Sequence, residues 1–83
     1  KMDEQTIFQE MLNILKAYTK DLSSLEKATR ETHILNDLKV NSARLVDFII
    51  KCEDFFNITI EDDEVDKIET IGDAVLLIEK KLN

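Results

Sequence analysis

Proline and tryptophan are absent from the chain, and glycine and cysteine occur once each. Each scarcity excludes something. With no proline and one glycine, 83 residues lack the turn residues that a β-sandwich or barrel requires, so the composition points to helices. A single cysteine cannot close an internal disulfide, which fits a reducing compartment and a cytoplasmic setting. No apolar run approaches the ~18–20 residues of a membrane span. No signal-peptide pattern opens the chain either, because Lys1-Met2-Asp3-Glu4 leads straight into an amphipathic stretch. Lys1 ahead of Met2 reads as a processing scar. Cations are outnumbered, with 11 Lys and Arg against 18 Asp and Glu for a formal net charge of −7. Such a surface repels phosphate backbones and anionic lipids, which argues against nucleic acid and against membrane insertion. Basic patches on partner proteins would be drawn to it.

What is present is a folded composition, 43% hydrophobic and 35% charged. The length suits a single domain over residues 1–83 with one small core, expected to act as a monomer. Ile7, Phe8, Met11, Leu12, Leu15 and Tyr18 form an amphipathic helical stripe that starts between Asp3 and Thr6 and fades after Tyr18. Residues 20–41 carry only scattered anchors and read as a long ordered loop with a short turn of helix. A second helix starts at Asn41-Ser42 and runs to about Phe56, with Leu45, Phe48, Ile49, Cys52, Phe55 and Phe56 on one face. Asn57 to Ile60 is a short extended exit, too brief for a sheet without a partner strand. Acids from Glu61 to Glu64 head a short third helix anchored by Val65 and Ile68. Thr70 and Asp73 then make a capping box for a last helix with Ile71, Ala74, Val75, Ile78 and Leu82 inward. The expectation is an all-α, four-helix bundle of three longer helices and one short one, with a long first loop.

Few side chains are equipped for catalysis. The only histidine is His33, and no orienting group or oxyanion motif accompanies it and Ser42. Cys52 falls within an apolar stripe, where a thiol packs rather than reacts. A calcium loop over Asp62, Glu64 and Asp66 would put Lys67 where the sharp turn needs glycine and Asp73 where a bidentate Glu belongs, so no metal site is expected. Ser42 stands apart by position. With Asn41 as N-cap, its hydroxyl lies at a helix mouth, where a phosphodiester would face free backbone N–H groups and the positive dipole end.

The text around Ser42 resembles the acyl carrier proteins. That family reads Leu-Gly-x-Asp-Ser-Leu, a helix ending Glu-x-x-Phe, an x-Ile-x-Ile exit, an acidic short helix, and Thr-Val/Ile-Gly-Asp-Ala. Here the corresponding residues run without a gap from Leu38-Lys39-Val40-Asn41-Ser42 through Phe55-Phe56-Asn57-Ile58-Thr59-Ile60 to Thr70-Ile71-Gly72-Asp73-Ala74-Val75. The resemblance implies a non-catalytic carrier whose Ser42 receives 4′-phosphopantetheine from a phosphopantetheinyl transferase, the arm then bearing acyl groups as thioesters. The implied partners are that transferase and acyl-transferring or synthase enzymes with basic patches. It also makes Phe48, Cys52, Ile60, Ile68 and Ala74 candidate walls of an acyl pocket, or else ordinary core. The chain departs from the family at four places beside Ser42: Lys39 replaces Gly, Asn41 replaces Asp, Ala43 replaces Leu, and Arg44 replaces an acid. These changes imply a specialised carrier. Val46, Asp47 and Ile50 follow on the same helix, off the main apolar stripe, and with Asn41, Ala43 and Arg44 are the expected partner contacts. Two other readings stay open: an unmodified interaction domain of the same fold, and a small hydrolase or transferase using Ser42 and His33.

Overall fold

Residues 2–83 are described by a computed structural model of the chain; Lys1, read above as a processing scar, lies outside them. Three long helices dominate: α1 (Glu4–Leu15), α4 (Ser42–Phe56) and α6 (Ile71–Leu82), with α2 (Leu22–Glu26), α3 (Ile34–Asp37) and α5 (Asp62–Val65) between them. Each long helix starts where a short polar side chain satisfies an orphan N–H. Asp3 accepts from the Thr6 N–H at 2.8 Å, Asn41 from the Arg44 N–H at 2.9 Å, and Thr70 from the Asp73 N–H at 3.0 Å. The Thr70–Asp73 box expected from sequence is complete, since Asp73 also accepts from the Thr70 N–H at 3.0 Å. The apolar stripes then converge. Ile7, Met11 and Leu15 of α1 meet Phe48, Ile49, Cys52 and Phe56 of α4 and Ile71, Ala74, Val75 and Ile78 of α6, all buried. α1 lies against both other long helices. Each large apolar side chain among them contributes roughly 1.5–3 kcal/mol, which is what holds the three long amphipathic helices together.

The structure differs from the sequence expectation in detail. α1 stops at Leu15; the next residues turn, with the Tyr18 N–H donating to the Leu15 carbonyl at 2.9 Å. Tyr18 still packs inward, edge-on to Phe48 at 6.1 Å between ring centroids. The long loop holds two one-turn helices instead of one. Asp21 caps α2, and His33 caps α3 through Nδ1, which accepts the Asn36 N–H at 3.1 Å. Phe55 was expected on the buried face but is 48% exposed, because it falls past the edge of the stripe and turns its ring against Phe56. The exit after α4 is not extended from its first residue. Asn57 is left-handed (φ 56°), and the N–H groups of Asn57 and Ile58 both return to the Glu53 carbonyl, ending the helix. The acids heading α5 act as caps: the Glu64 carboxylate accepts from the Glu61 N–H at 2.8 Å and meets Lys81 Nζ at 3.0 Å. Those contacts hold its carboxyl below the ordinary range, the Glu61 N–H first.

The long connection is fastened to the start of α6 by backbone alone. The Ile34 N–H donates to the Glu69 carbonyl at 2.9 Å, the Ile71 N–H to Thr32 at 3.0 Å, and the Gly72 N–H to Arg30 at 2.8 Å. His33 and Thr70 form an isolated antiparallel bridge there. Gly72 is required by this approach, since a Cβ on it would lie 2.8 Å from the Arg30 carbonyl oxygen. Arg30 secures the other side, with its guanidinium 5.5 Å from the centre of the Phe8 ring and 3.5 Å from Glu4. Gly72→Ala must push backbone from backbone, so it is expected to cost about 1–3 kcal/mol and lower the melting temperature by several degrees, with the helical spectrum retained. A thermal melt followed by circular dichroism checks this.

Asp21 carries a second prediction. Its carboxylate accepts the Ser24 N–H at 3.0 Å and the hydroxyls of Ser23 and Ser24 at 2.8 Å each. These bonds, the Ser24 N–H foremost, lower its pKa from 3.8 to about 2. A carboxyl depressed in the folded state adds stability above its unfolded pKa, and that stability is lost as pH falls through the folded one. Stability should therefore decline between about pH 4 and pH 2, and Asp21→Asn should flatten that part of the decline. Urea midpoints measured across this range decide it.

Candidate functional site at the start of α4

Asn41 and Ser42 divide the work at this helix end. Asn41 has extended backbone (φ −79°, ψ 170°), its side chain accepts the Arg44 N–H, and its carbonyl takes the Leu45 N–H at 2.9 Å. Ser42 is the first residue of the helix; its side chain is exposed, and its hydroxyl has no hydrogen-bond partner among the described residues. The N–H groups of Ser42 and Ala43 likewise have no protein acceptor among the described residues. No acidic side chain occupies the first turn. A phosphodiester on Ser42 Oγ would meet two unspent N–H donors and the positive end of a fifteen-residue helix, without disturbing the cap. The residues present fit such a group.

The chain reaches Ser42 through a strained residue. Lys39 follows the C-cap of α3 and is left-handed, with φ 54°. This is the position at which the sequence has Lys where the family resemblance led us to expect Gly. The Thr19 hydroxyl donates to the neighbouring Leu38 carbonyl at 2.6 Å, and Leu38 and Val40 are buried on either side. Lys39 is thus held left-handed between two anchored residues. A side chain in that conformation costs roughly 1–2 kcal/mol, and glycine forfeits part of the gain through its looser unfolded state. Lys39→Gly is expected to stabilise the fold by about 0.5–1 kcal/mol, read as a higher midpoint in urea.

Arg44 is tied to its own chain. Its Nη2 donates to the Ala17 carbonyl at 2.7 Å, and its guanidinium lies 5.1 Å from the centre of the Tyr18 ring. It thereby satisfies a carbonyl in the turn after α1 and joins that turn to the first turn of α4. Sequence reasoning missed this role, because the partners lie 27 residues apart and no local pattern marks them. Asn41, ahead of α4, and Ala43 and Asp47 on it are exposed, as are Val46 (52%) and Ile50 (56%), two large apolar side chains facing water. Phe48, Cys52, Ile60, Ile68 and Ala74 are all buried together. Burial pushes the Cys52 thiol up to about 12, so it is an inert part of the packing. His33 spends Nδ1 on the Asn36 N–H, and neither it nor Ser42 has the other as a hydrogen-bond partner.

Comparison with known proteins bears on this geometry. The chain is 42% identical over 72 residues to the acyl carrier protein of Lactobacillus acidophilus, covering 84% of this chain and 90% of that one. It is 36% identical over 83 residues to the acyl carrier protein of Coprothermobacter proteolyticus, covering 98% and 96%. The chain belongs to the acyl carrier protein family. A solved structure of the acyl carrier protein from Enterococcus faecalis superposes with a TM-score of 0.79 at 28% identity, covering 96% of this chain and 99% of that one. No protein-family model matches the sequence. As a member of this family the chain is a carrier and not an enzyme, which sets aside the hydrolase reading of Ser42 and His33. Membership also implies a phosphopantetheine group and dealings with transferase and synthase enzymes. Among the described residues, no helix is long and apolar enough to cross a membrane.

Proposed function

We propose that the protein carries acyl intermediates on 4′-phosphopantetheine attached to Ser42, in fatty acid, polyketide or related biosynthesis in the cytoplasm. It would act as a monomer and as a single domain over residues 1–83. The observation that carries this reading is the start of α4: an exposed serine hydroxyl beside two unspent N–H groups, in a helix capped by the residue before it. The group, when bound, supplies a terminal thiol that takes acyl chains as thioesters. Everything else falls to this chain. Ser42 offers the hydroxyl, Asn41 keeps the helix end closed, and the Ser42 and Ala43 N–H groups are placed to receive phosphate oxygens. Val46, Asp47 and Ile50, with Asn41, Ala43 and Arg44, form the surface that an enzyme reaching Ser42 would cover.

The test is a mass spectrum after incubation with coenzyme A and a phosphopantetheinyl transferase. Wild type should gain one phosphopantetheine and Ser42→Ala none. Since Ser42 supplies no cap bond, the substitution should cost well under ~1 kcal/mol and leave the helical spectrum intact. Uptake by Ser42→Ala would overturn the attachment site. An unmodified wild type would favour an interaction domain that keeps the fold alone.

A further inference from the structure

The single imidazole of the chain is used as a hydrogen-bond acceptor. The Asn36 N–H donates to His33 Nδ1 at 3.1 Å, and this bond caps α3. A backbone N–H can only donate, so Nδ1 must keep its lone pair and the ring proton must sit on Nε2. The cap therefore exists only while His33 is neutral. Serine, threonine, asparagine and aspartate caps do not change state between about pH 5 and 8, whereas a histidine can. Little else holds α3. It is one turn of four residues, closed by the Asp37 N–H on the His33 carbonyl at 2.9 Å and by the His33 N–H on the Asp37 carboxylate at 2.8 Å. The charges around the ring pull the other way. Asp37 stands on the same turn, and Asp73 in the first turn of α6 is near enough for a charge on His33 to favour its carboxylate. The two segments paired here also carry Glu31, Glu69 and Arg30, and Arg30 is committed to Glu4 and the Phe8 ring. The ring is half-buried, so water reaches it. Its cap demands the neutral form while Asp37 and Asp73 favour the charged one.

We propose that His33 is a proton-operated clasp on the lead into Ser42: protonation of Nδ1 frees the Asn36 N–H, opens α3 and loosens residues 39–40, while the α4 cap stays closed. The step takes one proton from solvent and exchanges the Asn36 N–H bond to Nδ1 for one to water. Two donors then face each other, and the ring must turn away. The effect travels because α3 runs directly into Leu38 and the left-handed Lys39 (φ 54°). That residue keeps a costly conformation only while its flanks are anchored. The bond from Asn41 to the Arg44 N–H at 2.9 Å has no titrating partner near neutral pH, so α4 itself is unaffected. The inference concerns the chain's own conformation and holds whether or not Ser42 bears a group.

The experiment follows the backbone amides and the imidazole ring of the full chain by NMR between about pH 8 and pH 5.5, a window in which imidazoles titrate and ordinary carboxyls do not. The Asn36, Lys39 and Val40 amide signals should move with the same midpoint as the His33 ring protons. At about pH 8 their order parameters should match the roughly 0.85 of rigid backbone, and at about pH 5.5 they should fall toward 0.6. The Arg44 amide should keep its order parameter throughout. His33→Asn supplies a capping oxygen that does not titrate, so this variant should hold the pH 8 values down to pH 5.5. Three results would each overturn the clasp. The ring may titrate while Asn36 keeps its shift and order parameter. The change may stop at Asn36 and leave Lys39 and Val40 rigid, which severs the link to Ser42. The His33→Asn variant may loosen as much as wild type, which assigns the transition to other groups.

Discussion

Three backbone hydrogen bonds between residues 30–34 and residues 69–72 are the constraint on which the rest depends. The connection from α1 to α4 is long and contributes few buried side chains of its own, chiefly Leu25, Ile34, Leu38 and Val40. Left to those anchors, it would lose much of its stability to chain entropy. Pairing with the first turn of α6 removes that freedom and satisfies polar groups that would otherwise need water. The demand falls on one atom that is absent. Without the missing Cβ of Gly72, the Arg30 carbonyl can come within hydrogen-bond distance of the α6 backbone. The single glycine of the chain stands where two backbones meet.

From that clamp the geometry propagates to Ser42. Ile34 opens α3, α3 ends at Leu38, and the Leu38 carbonyl is held by Thr19 from the turn after α1. Arg44 comes from the other side to hold Ala17 in the same turn. The start of α4 is therefore braced at two points, before and after Ser42, by one short stretch of chain. The capping bond belongs to Asn41, which leaves the serine hydroxyl uncommitted. A helix capped by Ser42 itself would lose its cap if that hydroxyl were esterified; with Asn41 as the cap it would not.

Much of this was legible in the sequence, and the failures have physical reasons. The three long helices, the Asn41 cap and the Thr70–Asp73 box are local: each rests on residues within one or two turns, where periodicity and capping chemistry operate. The resemblance around Ser42 was legible because the residues that carry it are contiguous. The loop was read with one short helical turn and holds two, because α2 and α3 are nucleated by single capping side chains, Asp21 and His33, and not by an apolar stripe. Phe55 lies one heptad from buried Phe48, which predicts the same face, but a heptad drifts about 20° on a straight helix, enough to move Phe55 past the edge of the stripe. The roles of Arg30, Arg44 and Gly72 were invisible, since their partners are distant in the chain.

Charge deserves a different weighting once the contacts are known. A net charge of −7 suggests a uniformly acidic surface, yet the acids are unevenly placed and unevenly free. Glu64 is committed to Lys81 and to the Glu61 N–H, Asp73 to Thr70 and Glu69, and Asp21 to two serines. These carboxylates stabilise helix starts, and their bonds hold them ionised to lower pH than free acids. Around Ser42 the balance is otherwise. Lys39 and Arg44 stand where the family resemblance leads one to expect Gly and an acid, Lys39 held by its left-handed backbone and Arg44 by the turn after α1. A phosphodiester at this helix mouth would find cations nearby and no acid in the first turn. Cations at this helix mouth that would favour an anionic group there would also weaken attraction to a basic surface at the same spot.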